Sequence, residues 1–559
     1  MRRALIAMLP LLGAVAVGTP ASSGVSADPT KPGRLKHTHI EYDAGPAVLM
    51  TQPTNGAPQP VELHGDIHLP TGRGPYPVLL LMHGRHGTCS YGPVEHLGHP
   101  CPATPVTTPV ASFAGYRYLA GNLASHGYLV ISVDANGINT YDTADRDSGA
   151  LARAELVSRS LDLLAQWNDE PGPGDVGSRL VGQVDLRRVG VMGHSRGGEG
   201  VTRWLAYNRS RTDGARYPVS AVFSLAPTDF GDHVITDATP YAVLLPRCDG
   251  DVADLQGGDV FERSQYVAGG PLHQITIEGA NHNWFNSVWV GDDYGARSDE
   301  ACGSEMDTNI RLTARQQERV GLAWMAAFFR RYVGGERRFD PMLTGRGSRA
   351  AECSPRMKAA CGDLSDVSYQ PPPGRRTPLV VPAVESADAS LDQAGGLLSA
   401  GRELTLAACD RWQAIACPAQ RTNGASRANG PQLTLTWESS TWLLLTAQRA
   451  WRGDPLGDFV VRLGVNASGE PHHLGTERLR LRVQLTDTRG RTQVVAVTPV
   501  MGQPEPPPGS TVRNLLLNDV RVPLRRFSGI DVTSLRSARL LLDDPTASVQ
   551  LADMALHAA

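Results

Sequence analysis

The sequence predicts an α/β unit, with a mostly parallel sheet covered by helices on both faces, followed by an all-β sandwich. Strand-like and helix-like runs alternate from Arg34 to about Gly335, which is the chain order of a parallel sheet whose strands are joined by helices. Residues 78–82 are apolar without alternation, as expected of a strand buried on both faces. From about Ala383, helical patterns largely vanish, and Gly, Pro, Asn and Asp separate short alternating segments. This second pattern is typical of a β-sandwich.

The elements of the α/β unit follow from these periodicities. The longest predicted helix begins with a possible capping box of Thr313 and Gln316, and Gly334 and Gly335 end it. We predict strands at residues 60–69, 76–83, 128–134, 188–193, 219–225, 241–246 and 273–278, and helices at 114–126, 149–168, 199–208 and 313–333.

The tail has its own set of short strands. The run Pro-Pro-Pro-Gly at residues 371–374 is the clearest linker signal before it. Near the end of the chain, the stretch from Val522 to Leu556 resembles the closing strands of galactose-binding-like jelly rolls. We predict strands at 432–437, 442–448, 459–465, 479–485, 493–500, 539–542 and 549–554, and four parts of the chain: a signal peptide (1–27), a catalytic domain (28–345), a Pro/Gly-rich linker (346–383) and a jelly-roll-like accessory domain (384–559).

The first residues predict export. Arg2 and Arg3 supply a positive start, residues 4–17 are largely apolar, and residues 25–27 are small enough for cleavage. The apolar stretch is too short to span a membrane, which needs about 20 residues. We therefore expect a secreted protein, extracellular or periplasmic, without a membrane span. The formal net charge of −3 offers no basic surface, so nucleic acid is not an expected partner.

Export favours disulfides among the eight cysteines. Short loops favour Cys89 with Cys101, Cys353 with Cys361, and Cys409 with Cys417. This leaves Cys248 and Cys302, which would tie the loop around Asp249 to a later one.

Residues 189–198 contain the pattern Gly193-His194-Ser195-Arg196-Gly197, preceded by a β-prone run and followed by a helix-like segment. This is the sequence form of a nucleophile elbow, a tight strand-to-helix turn that presents a serine hydroxyl. The glycines are needed because the strand and the helix approach too closely for a Cβ. Ser195 is therefore the predicted nucleophile.

A serine hydroxyl needs a base, and the base needs an acid that fixes its tautomer. His282 follows the predicted strand 273–278 and precedes an aromatic pair, which makes it the predicted base. The strand 241–246 runs into a loop with Asp249 and Asp251. We favour Asp249, which stands three residues before Val252, and keep Asp251 as the alternative acid.

The loop after strand 76–83 begins His83-Gly84-Arg85-His86. In enzymes with a nucleophile elbow, a loop at this place supplies half of the oxyanion hole. We expect the backbone N–H groups of Arg85, or else His86, and of Arg196 to be the donors. His86, Trp284 and Phe285 are candidate pocket residues, although aromatic residues such as Trp284 and Phe285 more often pack in the core.

Together, the elbow, the His-Gly loop, the acid loop and Ala-Asn-His-Asn-Trp-Phe at 280–285 resemble secreted bacterial α/β-hydrolases, in the style of the dienelactone hydrolase, chlorophyllase and cutinase-like groups. The resemblance covers about residues 60–333. It implies the α/β-hydrolase fold and a serine ester hydrolase, with Ser195 as nucleophile, His282 as general base and acid, and Asp249 orienting His282. Dienelactone hydrolases use a cysteine nucleophile, and cutinase-like enzymes are usually single compact domains, so this chain departs from both.

A small or polymeric carboxylic ester is thus the expected substrate, with no cofactor and no metal ion in the reaction. Two alternatives remain. The same triad can cleave amides or peptides, and the tail tryptophans, Trp412, Trp437, Trp442 and Trp451, could bind a glycan or another surface ligand beside an inert hydrolase-like domain. The acidic stretch 288–309 is interpreted as a solvated loop in preference to a calcium site, because it lacks EF-hand spacing.

Overall fold

The computed structural model describes residues 28–45, 49–50, 57, 59–145, 147–296, 302–303, 311–346, 365–380, 396–409, 421–422, 425–426, 432–465, 479–497 and 516–559. The predicted signal peptide lies outside these residues, as do Trp412 and the predicted pair Cys353–Cys361. The pair Cys409–Cys417 cannot be placed either, because Cys417 is outside them. None of the described helices is long and apolar enough to span a membrane.

A nine-stranded mixed sheet is the centre of the first part of the chain. Its order is β1-β2-β4-β3-β5-β6-β7-β8-β9, where β1 is His37–Asp43, β2 His64–Pro70, β3 Tyr76–Met82, β4 Leu129–Val133, β5 Val184–His194, β6 Val219–Leu225, β7 Tyr241–Pro246, β8 Leu272–Ile277 and β9 Ser365–Gln370. Strands β4-β3-β5-β6-β7-β8 pair in parallel, whereas β1, β2 and β9 pair antiparallel at the two edges. The expected mostly parallel sheet is therefore flanked by antiparallel strands.

Helices cover both faces of this sheet. Leu80 of β3 packs in one apolar cluster with residues of four helices, while its neighbour Leu79 packs in a second cluster with residues of three others. Buried strands such as β3 are apolar throughout because each face meets a helix layer. The described helices are α1 Arg117–Ser125, α2 Asn136–Tyr141, α3 Ala150–Asp169, α4 Arg196–Ser210, α5 Gly257–Ser264, α6 Ala314–Tyr332 and α7 Asp340–Leu343. Residues of α2, α3, α4 and α5 line the first cluster, and residues of α1, α6 and α7 line the second.

The tail forms two antiparallel sheets around a common core. One has the order β12-β13-β20-β15-β18 with β10 also paired to β20, and the other has the order β11-β14-β19-β16-β17. Leu435 and Val461 of the first sheet share a buried cluster with Leu443 and Leu540 of the second. The strands are β10 Arg376–Val380, β11 Leu397–Ala400, β12 Leu404–Cys409, β13 Gln432–Trp437, β14 Thr441–Trp451, β15 Asp458–Val465, β16 Leu481–Asp487, β17 Thr492–Ala496, β18 Asn518–Pro523, β19 Leu535–Leu542 and β20 Ala547–His557.

Several short strands lie outside these three sheets. They are Leu49–Met50 paired with Pro60–Val61, Cys89–Tyr91 paired with Val94–His96 and Thr107–Pro109, and Arg421–Thr422 paired with Ala425–Ser426.

The stretch predicted as a linker needs a correction. Residues 365–370 form β9, which closes the main sheet against β8, and residues 376–380 form β10, which joins the tail. The Pro-Pro-Pro-Gly run does mark the passage between them, as a single 3-10 turn at Pro373–Arg375. The described part of the linker is thus two strands joined by a tight turn, and the two units are in direct contact.

Buried charges form much of that contact. Arg462 of β15 donates hydrogen bonds to Glu262 of α5 and to Asp519 of β18, and its guanidinium lies 4.3 Å from the ring centroid of Phe261. Its Nη2 also donates to Gln274 Oε1 of β8 at 3.1 Å. The side chains of Arg462, Glu262 and Asp519 are each no more than 5% exposed, so the tail is fixed to the α/β unit by charges that water does not screen.

Candidate active site

Ser195 lies between β5 and α4, in the strained turn that the glycine pattern predicts. Its φ and ψ are 57° and −128°, and only 2% of the residue is exposed. A Cβ on Gly193 would lie 2.0 Å from the carbonyl oxygen of Gly197, so a side chain at position 193 would push the strand and the helix apart. A non-glycine residue at positive φ is costly and is held only by its surroundings, as expected of a serine held for function.

Asp249 and His282 form a buried hydrogen-bonded pair at the ends of the next strands. Asp249 follows β7 and accepts a hydrogen bond from Nδ1 of His282, which follows β8, at 2.9 Å. The other carboxylate oxygen accepts the backbone N–H groups of Asp251 and Val252 at 3.0 and 2.6 Å. These bonds fix the carboxylate in one orientation, so Asp249 has the geometry of a group that sets the tautomer of His282.

Asp251 occupies a different position around the same ring. Its carboxylate lies 3.5 Å from Nε2 of His282, and its side chain is 60% exposed. Nε2 is buried and makes no hydrogen bond with any described residue. Asp251 is therefore placed to interact with the imidazole electrostatically, while the Nδ1 position is taken by Asp249.

The loop that carries His282 packs directly on the elbow. The carbonyl oxygen of His282 bonds to Nε2 of His194, the residue before Ser195, at 3.1 Å. The two imidazole rings have their centroids 4.9 Å apart, and the hydroxyl of Tyr116 holds the other nitrogen of His194 at 2.9 Å. The sequence neighbour of Ser195 thus positions the backbone of the predicted base.

The charges around His282 favour its protonated form. Burial disfavours the imidazolium, but the charge and hydrogen bond of Asp249, together with the charges of Asp251 and Asp293, raise its pKa to about 9. Burial also raises the pKa of Asp249, to about 6, against the opposing effect of the positive His282. The pair is built to hold a proton on the imidazole, which is what a general base acquires during catalysis.

The predicted His-Gly loop lies against the serine. A Cβ on Gly84 would lie 2.4 Å from the Cβ of Ser195, so the backbone of residues 84–85 passes beside the hydroxyl. Arg196 is the first residue of α4, and the first N–H groups of a helix have no acceptor within it. The predicted oxyanion donors, the N–H groups of Arg85 and Arg196, therefore belong to the two segments that adjoin Ser195, which are the His-Gly loop and the first turn of α4.

A buried carboxylate, which the sequence analysis missed, organises the arginines of these segments. Asp142 contacts Arg85 Nε at 3.1 Å, Arg196 Nη1 at 2.9 Å and Arg153 Nη2 at 2.7 Å. Asp142 and Arg153 are fully buried. Asp142 and Arg85 are 57 positions apart, and the sequence around Asp142 contains no motif that would predict this contact.

The predicted pocket residues have three different environments. Phe285 is fully buried in the core, which is the alternative to a pocket wall that its residue type favours. It packs against α6, where a Cβ on Gly321 would lie 2.8 Å from its ring. Trp284 is half-buried under the guanidinium of Arg311, 4.9 Å from the centroid. His86 stacks on Trp289, with an interplanar angle of 7° and centroids 4.7 Å apart.

Asp293 links the acid loop to the histidine loop. Its Oδ2 accepts the N–H groups of Gly250 at 2.7 Å and His282 at 3.1 Å, and its Oδ1 accepts the N–H of Asn283 at 3.0 Å. Asp292 beside it binds Arg311 at 2.7 Å. These carboxylates belong to the stretch interpreted as a solvated loop. That interpretation was wrong for Asp293, because a single acidic side chain here joins the backbones that carry Asp249 and His282.

Disulfides fix two of the loops around the site. Cys89 bonds to Cys101 beyond the His-Gly loop, and Cys248 bonds to Cys302 next to Asp249. The first pair was predicted from its short loop and the second as the pair that remained, and both predictions are confirmed.

Comparison with known proteins shows which of them part of this chain resembles. Residues 86–232 match the PETase family, described as PET hydrolase-like. The chain is 33% identical over 90 residues to Cutinase 2 of Thermobifida cellulosilytica, covering 16% of this chain and 28% of that protein. It is equally identical over the same length to Cutinase cut1 of Thermobifida fusca, with 16% and 23% covered, and 34% identical over 86 residues to Cutinase est1 of Thermobifida alba, with 15% and 24% covered.

The chain thus spans about a quarter of the length of the curated relatives it matches. The matched family segment includes the elbow with Ser195, whereas Asp249 and His282 follow it. Residues 86–232 are therefore similar to PET hydrolase-like domains, and part of the chain is similar to bacterial cutinases.

Proposed function

We propose that this protein is a serine hydrolase with an α/β-hydrolase fold that cleaves carboxylic esters through an acyl-serine intermediate. The observation that carries the proposal is the buried pair of Asp249 and His282, 2.9 Å apart, on loops packed against the elbow of Ser195. The similarity to cutinases and PET hydrolases supports the same chemistry.

In the proposed reaction, Nε2 of His282 accepts the proton of the Ser195 hydroxyl as its oxygen attacks the ester carbonyl. The N–H groups of Arg85 and Arg196 stabilise the negative oxygen of the tetrahedral intermediate. The imidazolium then donates its proton to the leaving alcohol, and the acyl group remains on Ser195. Water, deprotonated by the same imidazole, attacks the acyl-serine and releases the acid. Asp249 stays ionised and holds the ring.

Hydrolysis of p-nitrophenyl butyrate and labelling by a fluorophosphonate probe test this proposal. We expect both in the wild-type protein and neither in Ser195→Ala. Ser210→Ala, at the exposed far end of the same helix, should retain both, and this controls for general damage to α4. A folded protein that neither cleaves the ester nor reacts with the probe would refute the proposal.

The bond type requires a separate measurement. The same residues could cleave an amide, which differs in the protonation of its leaving group, so an ester and an anilide with the same acyl group should be compared. Because the relatives are named for cutin and PET, the panel should include a polyester film. We expect ester cleavage to exceed anilide cleavage; the opposite order would favour the amidase alternative.

We also propose export, with cleavage near residue 27, on the basis of the predicted signal peptide. N-terminal sequencing of protein recovered from the culture medium tests it. For the tail, we propose that it stabilises the α/β unit through the buried bonds of Arg462. Trp437 is buried in the sandwich core, Trp442 and Trp451 are half-buried, and the described residues of the tail thus offer no exposed aromatic platform for a glycan.

A further inference from the structure

The edge of the main sheet far from Ser195 carries a cluster of metal-ligating side chains. Strands β1 and β2 pair with His39 opposite His68 and Glu41 opposite Asp66. Ile40 and Tyr42 point into the core, so the residues that alternate with them lie on the other face. This register brings two histidines and an aspartate side by side without any loop.

The ligand atoms of three of these residues are close together. Nε2 of His39 lies 2.7 Å from Oδ1 of Asp66, and one ligand atom each of His39, Asp66 and His68 all lie within 4.8 Å of one another. Zinc is bound by histidine nitrogens and carboxylate oxygens at about 2.0–2.2 Å, so atoms at this separation can share one ion after small side-chain rotations. We propose that His39, Asp66 and His68 bind a divalent transition-metal ion of the zinc type.

His68 is the second, independent observation. It is 4% exposed, and neither of its ring nitrogens has a hydrogen-bond partner among the described residues. A buried polar group without a partner is destabilising, and a metal ion is the partner that an imidazole directed at another histidine and a carboxylate would accept. His39 is 39% exposed on its side chain, which leaves a route for an ion and a position for a water ligand.

Arg117 of α1 orients the carboxylate. It donates from Nε to Oδ2 of Asp66 at 2.6 Å and from Nη2 to Oδ1 at 3.1 Å. An outer partner of this kind fixes a ligating carboxylate and tunes its affinity. Each oxygen keeps a lone pair, so Oδ1 can still coordinate in place of its contact with His39. The ring of His37, 5.3 Å from that of His68, adjoins the same site.

A second cluster, Glu199, Asp229 and His233, has similar spacing but offers only one nitrogen ligand. Its carboxylates also hold the surrounding loop: Glu199 accepts from Thr228 and Gly231, and Asp229 accepts from the backbone of His233 and pairs with Arg263. A site with two histidines suits an ion of the zinc type better than a site with one. We therefore assign the site to the sheet edge alone.

Titration of the untagged full-length protein with ZnCl₂, followed by calorimetry and by thermal unfolding, tests the proposal. We expect one saturable site and a melting temperature that rises with zinc, because a ligand of the native state stabilises it. CaCl₂ should cause no such rise, since two nitrogen ligands do not suit calcium. A cobalt-loaded sample should show the visible d–d absorption of bound Co²⁺, and this absorption should disappear when zinc displaces the cobalt.

Three variants locate the site. His39→Ala, at a half-exposed position, should fold and lose at least about tenfold in zinc affinity, a loss typical of damage to a metal site. His68→Leu should lose zinc binding without a lower melting temperature in the absence of metal, since it replaces an unpartnered buried imidazole. His233→Ala should bind zinc like the wild type. Absence of saturable binding, wild-type affinity in His39→Ala, or lost affinity in His233→Ala would overturn the proposal.

Discussion

At the scale of single residues, the environment of His282 decides the chemistry. Two carboxylates approach its two nitrogens, but only Asp249 is buried and oriented by backbone N–H groups. Asp251 is mostly solvated and 3.5 Å from the nitrogen that should face the serine. The sequence favoured Asp249 from its spacing to Val252, and the geometry adds the physical reason: a buried carboxylate with fixed lone pairs can hold one tautomer.

Substitution of Asp249 should therefore lower the rate of hydrolysis far more than substitution of Asp251. Asp249→Asn should lower kcat for p-nitrophenyl butyrate by roughly 10⁴-fold, because the ring would lose the acceptor that sets its tautomer. Asp251→Asn should retain kcat within about tenfold. Steady-state kinetics at the pH of maximal activity measure both. Equal losses would contradict the assignment of Asp249 as the orienting acid.

The pKa of His282 gives a pH dependence with a defined sign. The free enzyme needs a neutral imidazole, and nearby carboxylates raise its pKa to about 9. kcat/KM should therefore rise with pH and level off above about 9. Asp251→Asn removes a negative charge beside Nε2, so the imidazolium loses stabilisation and the profile should move to lower pH. Asp169→Asn, at the exposed end of α3, is the control that should leave the profile unchanged.

At the scale of elements, strands and helices with a clear period could be predicted from the sequence. The strands 219–225 and 241–246 and the capping box of α6 are found where they were expected. β9 was missed because its polar sequence, Ser-Asp-Val-Ser-Tyr-Gln, carries little apolar signal. α5 was missed because it begins with two glycines, which disfavour a helix; burial of Val260 and Phe261 outweighs that preference.

The site shows the same division. The elbow, the His-Gly loop and the histidine loop carry local motifs and were accessible from sequence. Asp142, Asp293 and Trp289 act through contacts between distant segments, and no spacing in the chain announces such contacts. Phe285 was open to both readings, and only packing against α6 could decide that it belongs to the core.

The contact of Asp142 with three segments predicts a stability effect. Asp142→Asn leaves Arg85, Arg153 and Arg196 without their common anion, and Arg153 is fully buried. Loss of one partner from a buried ion cluster typically costs about 3–5 kcal/mol, so the free energy of unfolding in urea should fall by that order. Asp543→Asn, which breaks a partly exposed pair with Arg482, should lower the free energy of unfolding much less, because solvent screens that pair. Similar losses in the two variants would contradict this account.

At the scale of the whole molecule, the tail and the α/β unit meet through specific hydrogen bonds that are buried or partly buried. The hydroxyl of Tyr266 donates to the carbonyl of Ala552 at 3.0 Å, and Gln274 donates to the carbonyl of Leu517 at 2.9 Å. The backbone of Tyr369 in β9 donates to Asp519 at 2.9 Å. Strand β9 thus pairs with β8 in the main sheet, while the backbone N–H of its Tyr369 binds the tail. The stretch predicted as a linker therefore connects the two units.

Arg462 is the centre of that coupling, and its removal provides a test. Arg462→Ala would leave Glu262 buried without its cation, and Asp519 with Arg521 alone at 3.6 Å, at a cost of about 3–5 kcal/mol. Because this cost falls on the contact between the units, scanning calorimetry should change from one cooperative transition in the wild type to two separate transitions in the variant. Arg482→Ala, on the exposed side of the sandwich, removes the same charge from the same unit and should keep the single transition. If Arg462→Ala also unfolds in one transition at the wild-type temperature, the buried charges do not hold the two units together.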